Sequence, residues 1–258
     1  MPMYETFEHG EGTPLVMLHG LMGDPSNWQG TFPHLPDSCR AIALQFPFFQ
    51  DGHRLDSLQG ATEYAHGYLD HAGIDRVVLC GNSLGGHVGL KLAIQMPQRV
   101  TGLVLTGSSG LFERSFGDYP GVRPPREWVR AKMCEIFYDP SFVTDQLVNE
   151  VCEVIAVRRN ARDLVRIAKS AKHDNVAGRL KDVRCPVLLI WGMQDQITPP
   201  DVAEDFRRAL RHSELAWLNE CGHAPMMEQP KAFADELCRW WDRVVCPQCV
   251  TGTDGLTT

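Results

Sequence analysis

One serine sits in an unusual setting. The stretch VVLCGNSLGGHVGL, residues 77–90, runs from four apolar residues into Gly81, reaches Ser83 two positions later, and passes Gly85 and Gly86 before an amphipathic run. A serine that served only solubility would have no need of glycine on both sides. Gly81-Asn82-Ser83-Leu84-Gly85 is a G-x-S-x-G pattern between a strand-like and a helix-like segment, the context in which that pattern carries chemistry. A sharp strand-to-helix turn would expose the hydroxyl at a helix N-terminus, where negative charge is favoured. The chemistry on offer is nucleophilic catalysis.

A serine hydroxyl is a weak nucleophile until a base takes its proton. Among ten histidines, His223 lies in NECGHAPMMEQP, a loop between the last strand-like run and the final helix. It completes the chain order serine, acid, histidine. His87 falls on the helix that Ser83 starts and cannot easily fold back onto its hydroxyl. His19 ends the first buried strand, where the expected job is holding the loop by hydrogen bonds. The imidazole needs an orienting carboxylate. Asp195, in LLIWGMQDQITPP, follows the strand-ending Gly192 by three residues. The other strand end, LTGSSG, offers no carboxylate. Asp139, Asp145 and Asp163 are expected to face solvent or cap helices. Charge growing on a carbonyl oxygen needs donors already in place. The backbone N–H groups of Leu84 and Leu21 are the candidates, with Met22 the alternative to Leu21.

Those residues depend on the elements that carry them. TPLVMLHG, RAIALQFP, RVVLCGN, RVTGLVLTG, CPVLLIWG and ELAWLN are short apolar runs bounded by turn residues, as strands covered on both faces require. MYETFEH is a candidate edge strand. Helical patterns occupy residues 57–71, 84–96, 201–210 and 231–245. The alternation predicts an α/β fold with a mostly parallel sheet flanked by helices. One interval breaks it: residues 125–138, 144–159 and 161–173 read as three helices punctuated by Pro124, Pro125, Pro140 and Asn160. We expect an inserted helical cap over residues 113–180, above the C-terminal edge of the sheet, where open parallel sheets bind ligands. Packing of these helices on a sheet face is the alternative. The core is then 1–112 and 181–250, with a polar, frayed tail over 251–258.

Composition narrows the class. The chain of 258 residues carries a formal net charge of -7, which argues against nucleic acid or an anionic membrane as partner. No apolar run is long enough to span a bilayer, and the N-terminus has no secretory pattern. Nine cysteines are scattered through apparent core segments, the pattern of free thiols in a reducing compartment. The expected location is therefore the cytoplasm. Cys246 and Cys249 form a C-x-x-C that lacks the second ligand pair a zinc site wants, so no metal is expected.

Taken together, HGLMGDPSNW, GNSLGGH, GMQDQITPP and CGHAPMMEQP resemble, in order and spacing, the motifs of the α/β-hydrolase superfamily, in its group with a helical cap between two late strands. The resemblance spans about residues 14–245. It implies the α/β-hydrolase fold, with Ser83 as nucleophile, Asp195 as acid and His223 as base, in agreement with the reading from residues. The family's D-x-x-G-x-G-x-S segment after the second strand is replaced here by LQFPFFQDGHRLDS, whose Phe46, Pro47, Phe48 and Phe49 suit a pocket wall or entrance. Trp28, Phe46 and Met226 are the expected substrate contacts, with core packing the alternative for each.

Relatives that attack alkyl halides or epoxides use an Asp where this chain has Ser83. Relatives that cleave carbon–carbon bonds of vinylogous diketones often have a Gly-rich oxyanion loop and a Trp after the histidine; HGLMG and Ala224 argue against that reaction. Arg158, Arg162 and Arg166 keep it open, since one helical face could hold a ligand carboxylate. The alternative is a solvated face, with Arg159 and Asp163 paired at i,i+4. The reading is a serine hydrolase of carboxylic esters, or related thioesters or lactones, with small to medium, mostly apolar substrates, an acyl-enzyme mechanism and no cofactor. A carbon–carbon bond hydrolase and a ligand receptor that retains the triad are the alternatives.

Overall fold

A computed structural model describes residues 3–50, 54–112 and 124–246. Among these residues, seven strands form one sheet: β1 (Thr6–His9), β2 (Thr13–Leu18), β3 (Cys39–Leu44), β4 (Val77–Asn82), β5 (Val100–Thr106), β6 (Val187–Gly192) and β7 (Ser213–Leu218). Their spatial order is β1-β3-β2-β4-β5-β6-β7. β1 runs antiparallel to β3 and every other pairing is parallel. β4 and β6, inside the sheet, are buried along their whole length, which is why their sequences are unbroken apolar runs. The edge strand β1 exposes most of its residues.

Alternate residues feed two cores. Val16, Leu18, Leu79 and Leu103 pack with α1 (Leu58–His71), α2 (Leu84–Gln95) and α6 (Pro200–Ala209). Leu15, Met17, Val78 and Val104 pack with Trp28 and with α8 (Pro230–Val244). These four helices each lie within a residue of their expected spans. Ser57 caps α1 by accepting the Gly60 N–H at 3.1 Å.

Among the described residues between β5 and β6 lie three α-helices, α3 (Arg126–Cys134), α4 (Asp145–Ala156) and α5 (Arg158–His173). Val129, Met133 and Val148 join the second core, and Ile167 and Ala171 the first. Residues 113–123, where the expected cap begins, and the tail over 251–258 lie outside the described residues. The break between the second and third helices falls at Val157 instead of Asn160. Asn160 belongs inside α5 because both ends of its amide are used: Nδ2 donates to the Val154 carbonyl at 3.1 Å, and Oδ1 accepts from Arg54 at 2.6 Å.

Asp163 is likewise neither solvent-facing nor a cap. Arg54 donates to its Oδ2 from Nε at 3.1 Å and from Nη2 at 2.8 Å, with both side chains about nine-tenths buried. The anticipated Arg159–Asp163 pair is thereby replaced by a long-range tie from α5 to the loop after β3. Removing one partner of a buried pair leaves the other charge uncompensated, at about 3–5 kcal/mol. Asp163→Leu should therefore lower the melting temperature by roughly 2–4 °C for each of those kcal/mol. A variant that melts with the wild type would show that the pair adds nothing.

Candidate active site

Ser83 ends β4 and stands at the N-cap of α2 with φ +53° and ψ -119°. A non-glycine residue with this φ costs on the order of 1–3 kcal/mol and persists where surrounding contacts over-determine it. Those contacts are present. A Cβ on Gly85 would lie 2.1 Å from the Leu18 carbonyl oxygen, and one on Gly81 2.4 Å from the Gly85 oxygen. The glycines thus let α2 press against β2 and the turn close sharply. The Ser83 side chain makes no capping bond to its own helix. Its backbone N–H donates to Thr106 O at 3.1 Å and its carbonyl accepts from Ser109 N–H at 3.1 Å.

Asp195 and His223 lie in the loops after β6 and β7. Parallel pairing of β4, β5, β6 and β7 puts these loops and the Ser83 turn at one sheet edge. His223 Nδ1 is 2.9 Å from Asp195 Oδ2, both residues being almost wholly buried. Asp195 Oδ1 accepts from the N–H groups of Ile197 and Thr198 at 2.8 and 2.9 Å, and Oδ2 accepts from Thr198 Oγ1 at 2.8 Å. Every lone-pair direction facing the protein is used, so the carboxylate is fixed with one oxygen toward the imidazole. Gln194 ties the two loops: its N–H donates to Cys221 O and its Oε1 accepts from Cys221 N–H, both at 3.0 Å.

Sequence reasoning missed several of these supports. Asn82, the variable residue of the motif, donates from Nδ2 to Thr106 O at 3.1 Å and to His223 O at 3.0 Å. It links the residue beside Ser83 to the His223 loop. Gly107, at φ +51°, lies under the imidazole, and a Cβ there would be 2.7 Å from His223 Nδ1. A legible signal existed for Thr198: an Asp followed within three residues by Thr is the pattern of a side chain folding back onto its own turn.

The segments that carry the expected oxyanion donors adjoin Ser83. Leu84 is the first residue of α2, so its N–H has no intrahelical acceptor. The loop carrying Leu21 and Met22 passes close by: a Cβ on Gly20 would be 3.1 Å from Ser83 Cβ.

Residues 15–236 match the family model described as the alpha/beta hydrolase family. The chain belongs to the alpha/beta hydrolase family. It is 33% identical over 235 residues to the dihydrolipoyllysine-residue acetyltransferase component of an acetoin cleaving system from Pseudomonas putida, covering 88% of this chain and 62% of that one. It is 30% identical over 241 residues to a 2-hydroxy-6-oxo-2,4-heptadienoate hydrolase from Pseudomonas putida, covering 87% of each. A pimeloyl-[acyl-carrier protein] methyl ester esterase from Nitrosomonas europaea is 30% identical over 252 residues, covering 87% of this chain and 94% of that one. Among solved structures, MGS-MChE2, an alpha/beta hydrolase enzyme from the metagenome of sediments of the lagoon of Mar Chica, Morocco, superposes with a TM-score of 0.76 at 34% identity, covering 94% of this chain and 96% of that one.

In this alpha/beta hydrolase the three expected substrate contacts are core residues. Trp28, Phe46 and Met226 are each at most 1% exposed. Trp28 and Met226 pack in the second core, Trp28 against Phe233, and Phe46 packs in the first against His19, Phe48 and Tyr64. Their surfaces are occupied by neighbours, so a substrate would reach them only if those neighbours moved. Arg158, Arg162 and Arg166 all lie on α5 and line, with Ile155, Ala156, Ala161 and Val165, a groove of about 650 Å³. Arg166 also lies 3.5 Å from Asp56 in an exposed pair. The eight described cysteines are free, and Cys249 of the C-x-x-C lies outside the described residues. No described helix is long and apolar enough to cross a membrane.

His19 braces the loop. Its Nδ1–H donates to Gly20 O at 2.8 Å, and its Nε2 accepts the Phe46 N–H at 2.9 Å. That bonding needs a neutral ring, and burial lowers the His19 pKa from 6.5 to about 4. Burial lowers that of His87 likewise, to about 4. Between pH 6.5 and 4 the unfolded chain binds more protons at both positions than the folded one, so folding stability must fall as pH falls through that window. At pH 5 each histidine should cost about 2 kcal/mol relative to neutral pH. Urea denaturation at pH 7 and pH 5 measures this, and equal stability at both would contradict it.

Proposed function

We propose that this alpha/beta hydrolase is a serine hydrolase that cleaves carboxylic esters of small to medium, mostly apolar substrates through an acyl-enzyme. The observation that carries the reading is the buried Asp195–His223 pair, fixed at 2.9 Å, at the same sheet edge as a serine held at φ +53°. In this reading neutral His223 takes the Ser83 proton as the oxygen attacks the ester carbonyl, and Asp195 stabilises the imidazolium. The Leu84 and Leu21 N–H groups receive the oxyanion. His223 then protonates the leaving alcohol, and water repeats the sequence on the acyl-enzyme. Likeness to a methyl ester esterase supports the ester as substrate. Likeness to the heptadienoate hydrolase supports a second reading, hydrolysis of a carbon–carbon bond in a dienoate.

The deciding experiment is turnover of linear p-nitrophenyl esters beside a 2-hydroxy-6-oxo-dienoate followed by its absorbance. Ester turnover with an inert dienoate supports the first reading and the reverse result the second. If helices α3 to α5 form a cap over the site, each methylene buried is worth about 0.8 kcal/mol, nearly fourfold in kcat/KM, until the space is full. Rates should therefore peak at short or medium acyl chains. A preference for chains of about sixteen carbons, as in an open lipase groove, would sink this.

A further inference from the structure

We propose that Glu228 is a positioning residue for His223, acting through a ring of backbone hydrogen bonds between the histidine loop and the segment after α3. The inference rests on the serine-hydrolase reading above. Glu228 is the last residue of α7 (Pro225–Glu228), five positions after His223 and unused in the proposed mechanism. Its two carboxylate oxygens serve two different segments. Oε1 accepts the Gly222 N–H at 2.8 Å, and Oε2 accepts the Tyr138 N–H at 2.7 Å.

The ring closes through His223 itself, whose N–H donates to Ile136 O at 2.7 Å. Its carbonyl is held from the other side by Asn82 at 3.0 Å. The backbone of the base is therefore clamped between the nucleophile turn and the residues after α3, and Glu228 fixes the spacing of that second jaw. Contact there is tight: a Cβ on Gly222 would lie 2.5 Å from Ile136 O and 2.8 Å from Tyr138 N. Burial raises the Glu228 pKa, while the N–H groups of Tyr138, Gly222, Asp139 and Ala224 act to lower it. An ionised carboxylate accepts on both oxygens. A glutamine would keep one acceptor and turn its NH₂ against the other N–H donor. The ring would then open by the width of a displaced peptide, and the imidazole would lose its aim at Ser83 without any change in the substrate's own contacts.

The test uses the full chain with p-nitrophenyl butyrate as probe. Glu228→Gln should lower kcat by roughly 10- to 100-fold, since a misplacement of about 1 Å costs about 10²-fold. KM should stay within about twofold, because only alignment is lost. The downfield proton resonance of His223 Nδ1–H, assigned by its loss in His223→Gln, should shift or broaden. Glu220→Gln, an exposed carboxylate on the same loop, should change neither. Unchanged kcat with an unmoved resonance overturns the proposal. So does a kcat loss that merely tracks the unfolded fraction while the resonance stays intact. If Glu228→Gln does not fold, hydrogen exchange in the wild type decides: the Gly222 and Tyr138 amides should be protected and exchange together, and rapid exchange of either overturns the ring. Should the wild type turn over no ester at all, the functional reading fails, while the resonance and the exchange rates still decide the role of Glu228.

Discussion

Ser83→Ala is expected to abolish ester turnover and leave the fold intact. The hydroxyl makes no capping bond to α2, and alanine keeps the Cβ that the φ of +53° already accommodates, so little stability depends on the oxygen. In the proposed mechanism the chemistry depends on it entirely. In a serine triad, loss of the nucleophile costs on the order of 10⁶ in kcat, leaving whatever the oxyanion donors and substrate binding supply. Steady-state assays at enzyme concentrations high enough to see that residue, paired with thermal melts, check both halves. If the purified variant keeps more than a few per cent of activity, another group is the nucleophile.

Asp195→Asn should fold normally and lose about 10⁴ in kcat. The local geometry gives the reason. Oδ1 of Asp195 accepts two backbone N–H groups, from Ile197 and Thr198, so an asparagine must put its carbonyl oxygen there. Its NH₂ then faces His223 Nδ1, where the carboxylate oxygen now sits 2.9 Å away. The ring can accept that hydrogen bond only by carrying its proton on Nε2, the nitrogen that must be bare to take the Ser83 proton. Near-normal turnover by a folded Asp195→Asn variant would move the acid elsewhere.

The elements that carry this chemistry were legible because each announces itself locally. β4 and β6 are continuous apolar runs since both faces are covered. Ser83 is marked by two glycines whose absence of Cβ is a steric necessity within a few residues of it. Asp195 and His223 follow strand ends, in the loops that parallel strands must place together. Asn160 misled, because an Asn between two helical patterns usually breaks them; here its amide bonds Val154 and Arg54 and is worth more inside α5 than at its end.

From its own pattern, then, the chain determined the order of strands and helices, the turn that carries Ser83 and the chain positions of Asp195 and His223. Short-range periodicity and turn chemistry carry that information without reference to distant residues. Tertiary structure decided which groups hold those residues still. Thr198 binds Asp195 and Asn82 the His223 loop, Glu228 bridges to Tyr138 across 90 positions, and Arg54 finds Asp163 across 109. It also decided that Trp28, Phe46 and Met226 fill the core. An apolar or charged side chain has the same local signature in either role. Its partner is chosen by burial and by which unsatisfied groups the folded chain brings within about 3 Å, a distance that sequence spacing does not encode.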